Sequence, residues 1–232
     1  MKKIICLLLA LSCVFLFFAC GDRSAGGTDA NQSGAVQNEG GDNLGEENNA
    51  GGDEDSFPTL ELSAWNGTWN SMMELLEDPA FEAAYPIWAE AYDEPTTPEQ
   101  VKQEYEASYR TDFASMVVDG NTISFFSAPA TANGEVAGEA LFTGTYTAEG
   151  LESISGDGYS YAWYKFKANE KGPYQYLLLL PPESEEEEGF AHWHYRYGSD
   201  GYVALLSLDE WWPTAVLPKT TAQEIVDIFS GA

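Results

Sequence analysis

Two helices are predicted where apolar residues first recur in a regular pattern. Between residues 71 and 91 their spacing is near-helical, and Pro79 and Pro86 should break this stretch into pieces. The segment Thr97-Pro98-Glu99-Gln100 predicts the start of a second helix, because it combines an N-cap hydroxyl, a proline at the first position and a glutamine at the third. This helix should extend to about Tyr109.

The middle of the chain alternates apolar and polar residues in short runs, which is typical of antiparallel strands. Met116 to Phe125 predicts a hairpin with a glycine in its turn. A last helix should begin at the capping box of Thr221 and end at Ser230. The chain is therefore expected to be mainly β with helices (α+β), as an antiparallel barrel or sandwich. Further strands are predicted at Leu141–Thr147, Ser153–Ile154, Tyr159–Lys167, Tyr174–Leu180, Phe190–Tyr197 and Tyr202–Leu208.

The first 56 residues follow different patterns. Two lysines precede an apolar stretch at 4–19 that is short for a membrane span, so it indicates an export signal. The stretch leads into Cys20-Gly21 and resembles a bacterial lipoprotein cleavage box. We therefore predict a lipoprotein signal peptide at 1–19 and lipidation of Cys20, the alternative being an ordinary signal peptide that contains a cysteine. Residues 20–56, acidic and rich in Gly and Asn, should form a flexible tether before a domain at 57–232.

Charge and cysteine content restrict the possible functions. The formal net charge is −28, from 38 acidic and 10 basic residues, which argues against nucleic acid and against an anionic membrane surface as partners. A cation is the natural counter-species, although solubility outside the cell is an equally simple reason for the charge. The three cysteines are Cys6, Cys13 and Cys20, so the folded domain has no disulfide and no thiolate.

The only two histidines of the chain form a His-x-His pair. His192 and His194 lie two positions apart in a predicted strand, so they share one face while Trp193 lies on the other. Their backbone positions are about 7 Å apart, and two imidazoles at this spacing can converge on one zinc ion. The alternative is that two histidines share a solvated face by chance.

Three motifs in order resemble those of the ZinT (YodA) family of extracytoplasmic zinc-binding proteins. They are Trp65-Asn66-Gly67-Thr68-Trp69-Asn70-Ser71, Ala191-His192-Trp193-His194-Tyr195-Arg196-Tyr197-Gly198 and Trp212-Pro213-Thr214, and the resemblance covers roughly residues 60–232. It implies a calycin-like barrel similar to lipocalins, with helical insertions and a zinc site at the barrel mouth. It also implies capture of zinc outside the cytoplasm and handover to the binding protein of an ABC importer.

The third ligand of the family is absent. The resemblance implies a histidine nine residues before the His-x-His pair, where this chain has Glu183. Glu185 to Glu188 follow closely, so a carboxylate could reach the ion from several positions. The alternative is a solvated acidic loop, with His192 and His194 as the only protein ligands. The expected metal ligands are therefore His192, His194 and Glu183.

These observations predict a lipid-anchored extracytoplasmic protein that captures or buffers zinc. Imidazole and carboxylate ligands also bind cadmium, nickel and copper. The aromatic content and the expected barrel leave a second hypothesis, a lipocalin-like module for a small apolar or sugar ligand. A zinc hydrolase is a third, but no Gly-x-Ser-x-Gly motif and no histidine outside the pair supplies a nucleophile or a base. We therefore do not expect an enzyme.

Overall fold

A computed structural model describes residues 57–156 and 159–231. Eight antiparallel strands close a barrel in chain order, and the last strand pairs with the first. This confirms the predicted antiparallel, lipocalin-like barrel. The strands are β1 (Gly67–Ser71), β2 (Ser115–Asp119), β3 (Thr122–Phe126), β4 (Ala140–Gly156), β5 (Tyr159–Ala168), β6 (Tyr176–Leu179), β7 (His192–Gly198) and β8 (Thr214–Val216).

The helices lie before β2, within the connections that flank β7, and after β8. The two N-terminal helical segments and the C-terminal helix agree with the predicted fold class. The α-helices are α1 (Pro79–Glu90), α2 (Pro98–Tyr109), α3 (Glu185–Glu188), α4 (Tyr202–Leu206) and α5 (Ala222–Phe229), and shorter 3₁₀ turns occupy Leu62–Trp65 and Met72–Leu75.

Local signals set the helix starts. Complete capping boxes at Thr97 and Thr221 begin α2 and α5, as predicted. Pro79 is the first residue of α1, where its missing N–H costs no helical hydrogen bond, and Asp78 caps that end. The predicted break at Pro86 is wrong, since α1 continues through it. Pro86 lies on the exposed side of α1, where solvent can replace the lost hydrogen bond.

The strand predicted at Tyr202–Leu208 is also wrong, because this segment begins with the short helix α4. Two strands of the barrel, β1 and β8, were not predicted from the sequence. All three residues of β8 are buried, so the strand lacks the alternation that identifies a half-buried strand. By contrast, the β2–β3 hairpin is confirmed, and Gly120 in its turn has a φ of 58°. The predicted segments at 141–147 and 153–154 are parts of one strand, β4, with an irregularity after Ala148.

The barrel wall separates two kinds of apolar packing. Its interior is filled by large side chains that include Trp65, Trp69, Phe125, Trp193 and Tyr195. On the outside, one cluster joins α1, α2 and α5 to Phe190 and the end of β8. A second outer cluster packs α4 against β5 and β6 through residues such as Trp163, Leu178 and Leu205. β7 therefore has the barrel core on one face and both outer clusters on the other.

The predicted signal peptide at 1–19, the lipidation site Cys20 and the tether up to residue 56 lie outside the described residues. Among residues 57–156 and 159–231, no helix combines the length and the hydropathy needed to cross a bilayer.

Candidate metal centre

The histidine pair lies on the outer face of β7. Trp193 and Tyr195 belong to the barrel interior, and strand alternation therefore directs His192 and His194 outwards. The shared face predicted for the pair is confirmed by this arrangement. The resemblance implied a site at the barrel mouth, whereas the two imidazoles lie outside the barrel wall, near the N-terminal end of β7. They are between Phe190 of one outer cluster and Trp212 of the other.

His194 is oriented by the neighbouring strand. The register of β7 and β8 places Thr214 directly opposite His194, and Thr214 Oγ1 lies 2.8 Å from His194 Nδ1. The hydroxyl of Thr214 donates its hydrogen to the carbonyl oxygen of Trp212 at 3.0 Å. It must therefore accept a hydrogen bond from Nδ1–H, because it has only one hydrogen to donate. The other nitrogen of neutral His194, Nε2, keeps its lone pair for a metal ion.

His192 is held in the same tautomer by a different group. Its Nδ1 lies 3.1 Å from the carbonyl oxygen of Phe190, which can only accept, so Nδ1 carries the hydrogen. The Phe190 ring stacks on the imidazole with a centroid separation of 4.3 Å and fixes its plane. Histidines that bind metals commonly donate their second nitrogen in this way. Both imidazoles are thus arranged to offer Nε2.

Glu183 lies beside Nε2 of His192, the ring nitrogen that does not contact Phe190. Its Oε2 is 3.3 Å from His192 Nε2, and the two residues also exchange backbone hydrogen bonds of 2.8 and 3.1 Å. With neutral His192, a lone pair of Nε2 faces a carboxylate oxygen at this distance. Such an arrangement favours a cation or a proton between the two atoms.

The acidic run that follows is placed differently. Glu185 lies 3.2 Å from Lys219, and both side chains are more than 60% exposed. Glu183 has only a quarter of its side chain exposed, and its backbone is paired with the first residue of β7. Glu183 is therefore the better placed of these two carboxylates to share an ion with His192.

Two of the distances are close to those of a tetrahedral ion. Ligand atoms bound to zinc at about 2.0–2.1 Å are separated by about 3.3 Å along a tetrahedron edge, and two such imidazoles have ring centroids roughly 5 Å apart. The observed values are 3.3 Å between Glu183 and His192 and 5.3 Å between the centroids of His192 and His194. Within the described residues, no three His, Cys, Asp or Glu side chains form a preassembled metal-binding group. Side-chain rotation would therefore be needed to close a three-residue ligand set.

Burial favours the neutral form of both imidazoles. Burial lowers the pKa of His192, although its hydrogen bond to Phe190 acts in the opposite direction. Burial also lowers the pKa of His194 to about 3, and the nearby charges of His192 and Arg196 act in the same direction. Neutral imidazole is the form that binds a metal, so little proton competition is expected near neutral pH.

Sequence reasoning missed the residues that orient the ligands. Trp212 and Thr214 were identified only as parts of a family motif, and Phe190 was not assigned to the site. The available signal was the Trp-Pro-Thr motif. Its role could not be read without the β7–β8 register, which no local pattern specifies.

Comparison with known proteins places this chain in a wider group. The model of the ZinT family, described as "ZinT (YodA) periplasmic lipocalin-like zinc-recruitment", matches residues 49–230. The probable metal-binding protein YrpE of Bacillus subtilis (strain 168) is 29% identical over 167 residues, which are 71% of this chain and 61% of that protein. The chain thus spans about three fifths of the length of this relative.

Two solved structures from Streptococcus pneumoniae share the fold at 22% identity. The Zn(II)-bound ZinT-like domain of AdcA has a TM-score of 0.56, over 74% of this chain and 91% of that domain. Zn(II)-bound AdcA has a TM-score of 0.55, over 72% of this chain and 34% of that structure. At this identity, the similarity establishes a common barrel architecture.

Proposed function

Because the chain belongs to the ZinT (YodA) family of periplasmic, lipocalin-like zinc-recruitment proteins, we propose that it captures zinc outside the cytoplasm through His192, His194 and Glu183. Family membership already supports zinc as the ligand and an extracytoplasmic location. The observation that carries the proposed ligand set is that the Nδ1 atom of each histidine lies within hydrogen-bond distance of an oxygen atom, from which we infer a common tautomer. Each donates Nδ1–H to an oxygen atom and leaves Nε2 for the ion.

Two imidazoles, one carboxylate and a water molecule would together form a tetrahedral coordination shell for zinc. The water position is exchangeable, so a second protein could take the metal without first displacing a protein ligand. An exchangeable position of this kind could serve catalysis as well as transfer; we propose transfer, with the binding protein of an ABC importer as the recipient. Other divalent transition metals would compete for the same ligands.

Calorimetric titration of the purified chain with zinc at pH 7.5 tests the proposal. We expect one tight site per chain, and elemental analysis of protein purified without added metal should detect zinc. A chain that binds no zinc in either measurement would refute the function.

The barrel interior gives little support to the alternative of a small apolar ligand. Trp65, Phe125, Trp193 and Tyr195 are each at most 1% exposed and occupy the space that such a ligand would need. Metal capture on the outer face of β7 requires no interior cavity.

Glu183→Gln is expected to weaken zinc binding about 10- to 100-fold, because a neutral amide is a poor zinc ligand. Calorimetry at pH 7.5 measures the change. Glu185→Gln is the matched control, since Glu185 is an exposed glutamate two residues away that pairs with Lys219. Equal affinity of Glu183→Gln and the parent would remove Glu183 from the ligand set.

We further propose that Cys20 carries the lipid that anchors the chain to a membrane. Stable anchoring requires more than one acyl chain, as the lipid of a bacterial lipoprotein provides. Cys20→Ser should therefore move the protein from the membrane fraction to the soluble fraction, as measured by fractionation and immunoblotting. Cys13→Ser, within the proposed signal peptide, should leave the distribution unchanged. A Cys20→Ser protein that stays with membranes would contradict the anchor.

A further inference from the structure

Arg196 is a buried cation on the same face of β7 as the two histidines. It lies two residues beyond His194, and only 2% of it is exposed. Its guanidinium donates to three carbonyl oxygens: Nε to Trp211 at 3.1 Å, and Nη1 to Leu205 at 2.9 Å and Leu206 at 3.3 Å. These bonds connect β7 to α4 and to the segment that leads into β8.

The guanidinium also contacts two indole rings. Its central carbon lies 5.0 Å from the ring centroid of Trp163 and 4.8 Å from that of Trp212. Such cation–π contacts gain strength where water is excluded. The Trp212 ring in turn meets the imidazole of His194 edge-on, with a centroid separation of 5.9 Å and an interplanar angle of 84°. Arg196 therefore fixes a ring that packs directly on a proposed ligand.

The contacts continue along the backbone and return to β7. Arg196 holds the carbonyl of Trp211 and the ring of Trp212, and the carbonyl of Trp212 accepts the hydrogen bond of Thr214. The Thr214 hydroxyl then receives the Nδ1–H of His194. The chain of contacts therefore runs from Arg196 to His194, which lie two residues apart on β7.

We propose that Arg196 is a positioning residue for zinc capture, which holds segment 211–214 so that Thr214 keeps the Nε2 of His194 available to the ion. The inference rests on the proposed function, since it assigns a role toward the same site. Lysine could not replace Arg196, because a single ammonium group lacks the planar fork that reaches several carbonyls and stacks on indole rings.

The experiment combines zinc calorimetry with nitrogen NMR of the His194 ring in the metal-free protein, for the parent, Arg196→Met and Arg196→Lys. The parent should show His194 with hydrogen on Nδ1. Both variants should bind zinc about tenfold more weakly, the lower end of what is seen when groups supporting a metal ligand are removed. Both should also show a mixture of the two tautomers. Lys167→Met is the matched control, because it removes a cation that lies 5.3 Å from the Tyr176 ring, away from His194.

Parent-like zinc affinity and an unmixed His194 tautomer in both folded variants would overturn the inference. An Arg196→Lys protein that matches the parent would also overturn it, because charge alone would then suffice. If Arg196→Met fails to fold, Arg196→Lys and Trp212→Phe test the same path with the same two measurements. A parent that binds no zinc would refute the proposed function, whereas the tautomer of its His194 would still report on the Arg196 contacts.

Discussion

His192→Ala and His194→Ala are each expected to reduce zinc affinity by at least about 100-fold, which removes the tight site. Each replacement deletes one imidazole nitrogen, and the remaining imidazole with one carboxylate leaves half of a tetrahedral shell to water. Neither change should prevent folding, because both side chains lie outside the barrel wall and the barrel core is built from other residues. Calorimetry at pH 7.5 gives affinity and stoichiometry, and circular dichroism verifies that the variants are folded.

The isosteric variants His192→Gln and His194→Gln separate ligand loss from local disturbance. They nearly preserve side-chain volume, and each should lose zinc as fully as the alanine variant. Unchanged affinity and stoichiometry in the variants of both His192 and His194 would exclude the pair as the metal centre. A loss in only one of them would reduce the proposed site to that histidine and Glu183.

Acid is expected to destabilise the metal-free protein between pH 6.5 and pH 5. An unfolded histidine has a pKa of about 6.5, whereas burial lowers the pKa of His194 in the folded protein to about 3. Below pH 6.5 the unfolded chain therefore binds protons that the folded chain excludes, so the free energy of unfolding falls as pH falls. At pH 5, protonation of His194 in the unfolded chain lowers the free energy of unfolding by about 2 kcal/mol, and His192 contributes in the same direction.

Urea unfolding of the metal-free protein at pH 7.0, 6.0 and 5.0 measures this loss. The protein should be folded at pH 7.0 without metal, because the barrel interior and the outer clusters are extensive. His194→Gln should have a flatter dependence in this window, which lies above the usual range of carboxylate titration. The same pH dependence in the parent and in His194→Gln would show that His194 is not buried as a neutral group.

Local sequence signals were sufficient for several parts of the fold. The capping boxes at Thr97 and Thr221 identified two helix starts because each uses hydrogen bonds within four residues. Alternation along β7 placed His192 and His194 on one face and Trp193 on the other, since successive residues of a strand point to opposite sides. The ZinT-like motifs were also sufficient to indicate the barrel and zinc, before any contact was known.

The register of the barrel decided what the sequence left open. Alternation along β7 shows only that the histidines share a face opposite Trp193 and Tyr195, and closure of the barrel around these two aromatic residues assigns the histidines to the outer wall. Pairing of β7 with β8 brought Thr214 opposite His194, and the bridge to β7 brought Glu183 beside His192. These contacts join residues 9 to 20 positions apart, so they depend on strand pairing and packing across the whole domain.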